Sequence, residues 1–147
     1  MNDKPQTEDA KAFDPAAHGW EPIVNHTAFG DLVGPIWRSE QNGQPRFGFK
    51  VESKHLNRAG NLHGGMLMTL ADQAMAMAGR KVNGARRQAT MELNIQFVGP
   101  AHLGEFVEAH PEVVRMTRSV IFLAVKMYVG SRIVAAATGI WKILDEA

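Results

Sequence analysis

Cysteine is absent from the 147-residue chain. Its absence excludes disulfide scaffolds, zinc sites with cysteine ligands and thiol nucleophiles. Long apolar runs are missing too, because the longest, at positions 120–125, is too short to cross a bilayer. The first residues also lack the basic flank and apolar stretch of a secretory signal. We therefore expect a soluble, cytoplasmic protein without a membrane partner.

An excess of charge of one sign is lacking as well. Lys and Arg number 16, and Asp and Glu number 15, which leaves a formal net charge of +1. Binding to a phosphate backbone requires a stronger positive field, so we expect no nucleic-acid partner. The length and the 45% share of hydrophobic residues fit a single domain, expected at residues 13–147. Residues 1–12 predict a flexible tail, because they bury too little apolar area to offset the entropy of ordering.

Residues 64–79 carry the pattern of a long buried helix. Their apolar side chains cover nearly every side of a helical wheel, and the segment is rich in Met and Ala, which favour helices. Gly79, followed by the basic pair Arg80 and Lys81, is typical of a helix C-terminus. No second helix of this length is predicted.

Most of the remaining sequence predicts strands. Period-two alternation and turn residues indicate strands near 28–38, 46–51, 91–97, 105–114, 120–129 and 133–143. Asn42-Gly43 marks a hairpin, and Pro111 marks a bulge or an edge strand. Residues 13–24 predict a short helix or turn that Trp20 holds on the body. The expected fold class is α+β: a curved antiparallel sheet wrapped around one long buried helix.

The start of the predicted helix offers hydrogen-bond donors to a negatively charged oxygen. The first N–H groups of a helix lack intrahelical partners and lie at the positive end of its dipole. Gly64 and Gly65 would let a substrate carbonyl approach these groups closely. The alternative is a tight junction between loop and helix that needs small residues for packing.

Asp72 is a second candidate, because it lies among apolar residues in the middle of the helix. A carboxylate buried there needs compensating partners. It could activate water as a general base or attack the substrate directly as a nucleophile. Alternatively, Asp72 lies on a narrow exposed stripe or binds a neighbouring backbone N–H.

The spacing of Gly64 and Asp72 bears on the oligomeric state. Eight positions on a helix correspond to about 12 Å along its axis and about 80° around it. One chain therefore cannot readily hold a single carbonyl with both residues. If both serve one substrate, Asp72 comes from a second copy, and a homodimer holds two equivalent sites.

Further residues extend this pattern to a known family. Residues 57–65 read NRAGNLHGG, Asp72 follows in the helix, and Thr90 opens a strand that ends in FVGPA at 97–101. In this spacing the sequence resembles the hotdog-fold acyl-CoA thioesterases of the PaaI type, in the 4-hydroxybenzoyl-CoA thioesterase-like superfamily. The similarity covers residues 29–144. It implies a hotdog fold and hydrolysis of an acyl-CoA thioester at a dimer interface, without a metal, and we expect no cofactor.

The resemblance also implies roles for individual residues. Gly64 is implied as a backbone donor to the thioester carbonyl and Asp72 as general base or nucleophile. Asn57 and Thr90 are implied as polar supports for substrate and water. From the residues alone, Asn57 could instead stabilise its loop in an Asx turn, and Thr90 could be an ordinary strand residue. His63 could orient the loop, cap the helix or touch the substrate.

A basic cluster follows the helix: Arg80, Lys81, Arg86 and Arg87. Arginine forks match the phosphates of CoA, so Arg86 and Arg87 are candidates for substrate binding. The alternative is a solvated basic turn.

Together these features predict an acyl-CoA thioesterase that forms a homodimer or a pair of dimers as a tetramer. A noncatalytic acyl-CoA-binding or regulatory module is the alternative, because helix-end donors could bind a carbonyl without hydrolysis. Asp72 favours the enzyme. The acyl group could be aromatic, short or of medium length, since all three fit an apolar tunnel.

Overall fold

A computed structural model describes residues 13–24 and 27–145 of the chain. Within this part, the α-helices are α1 (Ala28–Val33) and α2 (Gly64–Val82), and 3-10 turns occur at Ala16–His18 and Ser53–His55. The strands are β1 (Glu21–Pro22), β2 (Trp37–Gln41), β3 (Gln44–Lys50), β4 (Gln88–Phe97), β5 (Phe106–Met116), β6 (Val120–Val129) and β7 (Arg132–Ile143). The expected tail, residues 1–12, lies outside the described residues.

One antiparallel sheet wraps around α2. Its strand order is β1-β2-β3-β5-β6-β7-β4, and every neighbouring pair is antiparallel. Leu70 and Met75 of α2 share one buried cluster with Phe49, Met127 and Trp141 of the sheet. Burial of this apolar helix on the inner face of the sheet supplies the main core. The predicted α+β hotdog fold is confirmed.

The long helix begins at the predicted residue but ends later than predicted. It runs on to Val82, and Asn83 is its C-cap, with a backbone N–H that donates to the Gly79 carbonyl at 3.0 Å. Gly79 lies inside the helix, where an added Cβ would be 3.2 Å from Gln88 Oε1. Close packing against Gln88, rather than helix termination, therefore accounts for this glycine. No helix in the described part of the chain is long and apolar enough to span a membrane.

The strand predicted from residue 28 was wrong over its first half, which forms the short helix α1. Thr27 caps this helix, because its Oγ1 accepts a hydrogen bond from the Gly30 N–H at 3.0 Å. The helix ends at Gly34, whose N–H donates to the Gly30 carbonyl at 2.9 Å. Of the six residues of α1, only Gly30 is buried. A local cap thus outweighs the strand preference of the apolar side chains.

Pro111 tests the expectation of a bulge or an edge. The edge assignment was wrong, because β5 lies between β3 and β6. Proline fits there because β3 pairs with β5 only over Phe106–Ala109, so Pro111 lies beyond the stretch of β5 that β3 pairs with. A bulge does occur in β5, slightly later, between Val113 and Arg115.

The N-terminal segment folds onto the sheet as predicted. Trp20 is buried, and its ring meets Phe106 edge-on with centroids 4.9 Å apart. Phe106 in turn lies over Gly48, where an added Cβ would be 2.7 Å from the phenyl ring. Aromatic packing therefore holds residues 13–20 on the body of the protein.

The opposite end of the sheet is a long edge. Strand β4 pairs with β7 on one side and is the last strand in the order. Its Met91 and Phe97 are 64% and 56% exposed, and Val98 beyond it is 55% exposed. Exposed apolar edge strands of this length are normally covered by another chain or element.

Candidate functional site

Asp72 and Thr90 form the polar centre of the candidate site. Asp72 lies at the middle of α2 and Thr90 near the start of β4, and the Thr90 hydroxyl donates to Asp72 Oδ1 at 2.7 Å. Asp72 is half-buried. Within the described residues, its carboxylate has no other hydrogen-bond or ion-pair partner. One carboxylate oxygen is thus oriented by a hydroxyl while the other can receive a proton from water or attack a substrate.

Asp72 opens onto a groove with a volume of about 690 Å³. From Asp72, the half-buried residues Ala76 and Met77 of α2 continue along the groove. Residues of α1 and the segment after it, including Gly30 and Ile36, form the facing wall. The lining is mainly apolar but also includes five charged side chains: Asp31, Glu52, Lys54, Asp72 and Arg80. A mainly apolar lining with a few polar groups is typical of small-molecule sites.

The start of α2 presents a second polar arrangement. His63 is the N-cap, and its Nδ1 accepts a hydrogen bond from the Gly65 N–H at 2.8 Å. Because Nδ1 is the acceptor, the neutral ring carries its proton on Nε2. No partner for the Gly64 N–H occurs among residues 13–24 and 27–145. Gly64 rather than Gly65 therefore keeps a free amide at the positive end of the helix.

The capping contact predicts a stability effect at His63. We expect His63→Ala to lower the free energy of unfolding by about 1 kcal/mol, because the Gly65 N–H loses its acceptor. His63→Asn should retain most of the stability, since asparagine is itself a good N-cap. Urea denaturation of both variants measures the difference. Equal destabilisation of the two variants would contradict the capping role.

A single chain does not bring the two arrangements into one pocket. Gly64 lies beneath the ring of Phe97, where an added Cβ would be 3.0 Å from the ring carbon Cε1. His63 and Gly65 line a separate cleft of 230 Å³, which does not include Asp72. Within one chain, the free Gly64 amide and the Asp72 carboxylate therefore do not share a pocket.

Asn57 lies in the loop before the helix, and its side chain is used within that loop. Its Oδ1 accepts from the backbone N–H groups of Ala59 and Asn61 at 2.9 and 3.2 Å. Its carbonyl also accepts from the Gly60 N–H at 3.0 Å. This is the Asx-turn geometry that the sequence left open as an alternative. A contact from Asn57 to substrate would have to come from its amide nitrogen.

Arg86 and Arg87 are exposed in the turn between α2 and β4. Asn83 holds this turn, because its Oδ1 accepts from the Arg86 N–H at 3.0 Å. The Arg86 Nη2 donates weakly to the Arg118 carbonyl at 3.4 Å. Neither arginine lines the Asp72 groove, whereas Arg80 does. Among the described residues, no group of three or more His, Asp or Glu side chains could hold a metal ion.

Sequence reasoning missed the contribution of α1. The wall that α1 forms opposite Asp72 depends on a six-residue helix between a polar cap and a glycine. The available signal was Thr27 followed by an acid, Asp31, in the first helical turn, which is a weak helix-start pattern. Apolar Phe29, Leu32 and Val33 favoured a strand in the same window.

Comparisons with known proteins show the family of this chain. The family model of the thioesterase superfamily matches residues 59–136. The Pseudomonas aeruginosa protein PA0474, which carries a provisional esterase name, is 30% identical over 128 residues, covering 85% of this chain and 95% of its own length. The stretch matched by the family model, 59–136, contains the helix start, Asp72 and Thr90.

Solved structures confirm the fold and the PaaI resemblance. The phenylacetic acid degradation protein PaaI of Thermus thermophilus, in a mutant structure, superposes with a TM-score of 0.72 at 26% identity, covering 80% of this chain and 100% of that chain. A Bacillus halodurans protein solved with CoA has a TM-score of 0.72 at 25% identity, covering 85% of this chain and 83% of that one. This chain belongs to the thioesterase superfamily.

Proposed function

We propose that this protein hydrolyses an acyl-CoA thioester at a site shared by two copies of the chain. The observation that carries the proposal is the half-buried Asp72, oriented by Thr90 on the wall of an apolar groove. The free Gly64 amide supplies the complementary donor. Membership of the thioesterase superfamily supports hydrolysis, and CoA in the Bacillus halodurans structure supports a CoA ester as substrate.

The position of β4 supports a shared site. Thr90 of β4 touches Asp72, and Phe97 of the same strand lies over Gly64, so β4 runs antiparallel to α2. If two copies pair along this free edge about a two-fold axis beside Leu93 and Asn94, Thr90 of one chain faces Phe97 of the other. Asp72 then lies beside the Gly64 amide of the second copy. The pairing also covers the exposed apolar residues of the strand.

Each group has a chemical role in this arrangement. The Gly64 N–H of one copy stabilises the negative charge that develops on the thioester oxygen. Asp72 of the other copy either removes a proton from an attacking water or attacks the carbonyl carbon to form an anhydride that water then cleaves. In both routes the C–S bond breaks, and CoA leaves as its thiol while the acid is released. Thr90 holds the carboxylate in place through its hydroxyl.

The basic turn after α2 is the candidate site for the CoA phosphates. Arg86 and Arg87 are exposed there, and their guanidinium groups can form bidentate bonds to phosphate. The rim of the Asp72 groove instead carries two further carboxylates, Asp31 and Glu52. Lys54 and Arg80 line the groove as well, and Lys54 pairs with Glu52 at 3.3 Å, so the groove has no excess of positive charge to attract phosphates. We assign the groove to the acyl group and the turn to the CoA end.

A panel of acyl-CoA esters tests the proposed function. We expect release of free thiol, detected with a thiol reagent, from at least one aromatic, short-chain or medium-chain ester. The solution mass should be that of a dimer or tetramer. Binding of acyl-CoA without thiol release would favour the noncatalytic module. Hydrolysis of simple oxygen esters but of no thioester would overturn the substrate class.

A further inference from the structure

His55 is a buried titratable residue to which the proposed reaction assigns no role. It ends the 3-10 turn Ser53–His55, and 5% of its surface is exposed. Its ring packs edge-on against Phe49 with centroids 5.0 Å apart. The nitrogens of a buried imidazole ring normally have hydrogen-bond partners. The partners of the His55 nitrogens show which segments of the chain its side chain connects.

Both ring nitrogens of His55 have backbone partners. Nδ1 accepts from the Glu52 N–H at 3.0 Å, so the proton of the neutral ring is on Nε2. Nε2 lies 2.6 Å from the carbonyl oxygen of Val33 and donates to it. Val33 is the last residue of α1. The imidazole therefore ties the end of α1 to the turn that follows β3.

Two side-chain hydrogen bonds hold the C-terminal end of helix α1 to the turn after β3. Phe29 and Leu32 on this helix are 56% and 71% exposed, so Val33 is its main apolar contact with the core. A second tether comes from Lys54, whose Nζ donates to the Gly34 carbonyl at 2.5 Å, but that side chain is 42% exposed. Bonds from exposed, flexible side chains are weak compared with a buried one. The His55 bond is the buried member of the pair.

The place of α1 matters because it borders both clefts of the site. Gly30 lines the groove that contains Asp72, and Phe29 and Val33 line the cleft that contains His63. The His55 carbonyl also accepts from the His63 N–H at 2.8 Å, immediately before Gly64. One residue thus connects α1 to the loop that precedes the free amide.

We propose that His55 is a positioning residue, which holds α1 as a wall of the substrate groove through its neutral Nε2–H. The proposal rests on the function proposed above. His55 affects the groove only by holding α1 in place, and it has no contact with Asp72. Loss of its side chain should therefore weaken substrate binding more than the chemical step.

Two variants of the full-length protein separate the two hydrogen bonds of the ring. The side-chain amide nitrogen of His55→Gln reaches the position of Nε2 and can still donate to Val33. In His55→Asn the shorter amide oxygen replaces Nδ1, which keeps the bond to Glu52 but loses the tether. We expect the Asn variant to raise KM for the best acyl-CoA ester at least about tenfold with kcat changed less than about threefold. The Gln variant should stay within about threefold of wild type in both constants.

Hydrogen exchange of the 27–34 segment gives a second measurement that does not depend on catalysis. It should accelerate at least about tenfold in His55→Asn and little in His55→Gln. Phe106→Leu is the matched control, because the Phe106 ring packs against Trp20 and lies over Gly48, which belong neither to α1 nor to the turn of His55. It should lower the thermal midpoint without changing KM or the exchange of α1.

The proposal is wrong if the Gln and Asn variants behave alike or if the Asn variant keeps the wild-type KM. It is also wrong if Phe106→Leu raises KM as much as His55→Asn does, because a general loss of stability would then explain both changes. If the wild type hydrolyses no thioester, the proposed function fails. The exchange rates of the Gln and Asn variants then decide the tether by themselves.

Discussion

Asp72→Asn is expected to lower kcat/KM for acyl-CoA hydrolysis at least about 100-fold, the usual contribution of a positioned general base or nucleophile. Asparagine has the same shape, and its amide oxygen can still accept the hydrogen bond from Thr90. It cannot take a proton from water or form an acyl intermediate. The change therefore removes the chemistry and leaves the 2.7 Å contact in place.

Glu112→Gln is the matched control for this variant. Glu112 is an exposed carboxylate on β5, and its replacement also removes one negative charge. Its kcat/KM should stay within about twofold of wild type, since exposed charges far from a site have small effects. Circular dichroism and solution mass check that both variants fold and associate. Full turnover by a correctly folded Asp72→Asn protein would reject Asp72 as the reacting group.

The fold was predictable where the pattern was long. The apolar wheel of residues 64–79 and the alternation in the last three strands are repeated often enough to outweigh local exceptions. Helix α1 was missed because six residues give less than two turns of periodicity, and a single cap at Thr27 decided their conformation. Gly79 was misread because the sequence does not distinguish a glycine that ends a helix from one that leaves room for a neighbouring side chain, here Gln88.

The site was predictable in its residues but not in its contacts. Asp72 was selected because a carboxylate among apolar residues needs a partner, but the partner is a hydroxyl on β4, which spacing along the helix does not reveal. Thr90 was selected through the family resemblance. His55 gave no signal at all, because its partners come from residues far along the chain. Contacts between distant segments depend on packing, which the sequence pattern does not specify.

Gly64→Pro tests the other half of the site. Proline is well tolerated at the first position of a helix, where its missing N–H costs no intrahelical bond. His63 before it has φ −68° and ψ 133°, which suits a residue that precedes proline. Loss of the free amide should lower kcat about 100- to 1,000-fold, as for removal of one oxyanion donor. Far-ultraviolet circular dichroism should remain unchanged.

Gly64→Ala is the control that separates the effect of losing the amide N–H from the effect of adding a Cβ. It keeps the N–H but places a Cβ 3.0 Å from the Phe97 ring, as proline also does. The contact requires the Phe97 ring to move by only a few tenths of an ångström, so kcat should fall by less than about tenfold. If alanine and proline lower kcat equally, crowding of Phe97 and not the lost amide explains both variants.

Mixing the two inactive proteins then determines whether the amide and the carboxylate come from different chains. In a dimer of one Asp72→Asn chain and one Gly64→Pro chain, one shared site combines the intact Gly64 with the intact Asp72. Random mixing makes about half of the dimers mixed, each with one of its two sites intact, so about a quarter of the wild-type activity should return. If both groups came from the same chain, every site would carry one lesion and no activity would return. Recovery that appears on subunit exchange, and at the rate of that exchange, would therefore establish catalysis across the two copies.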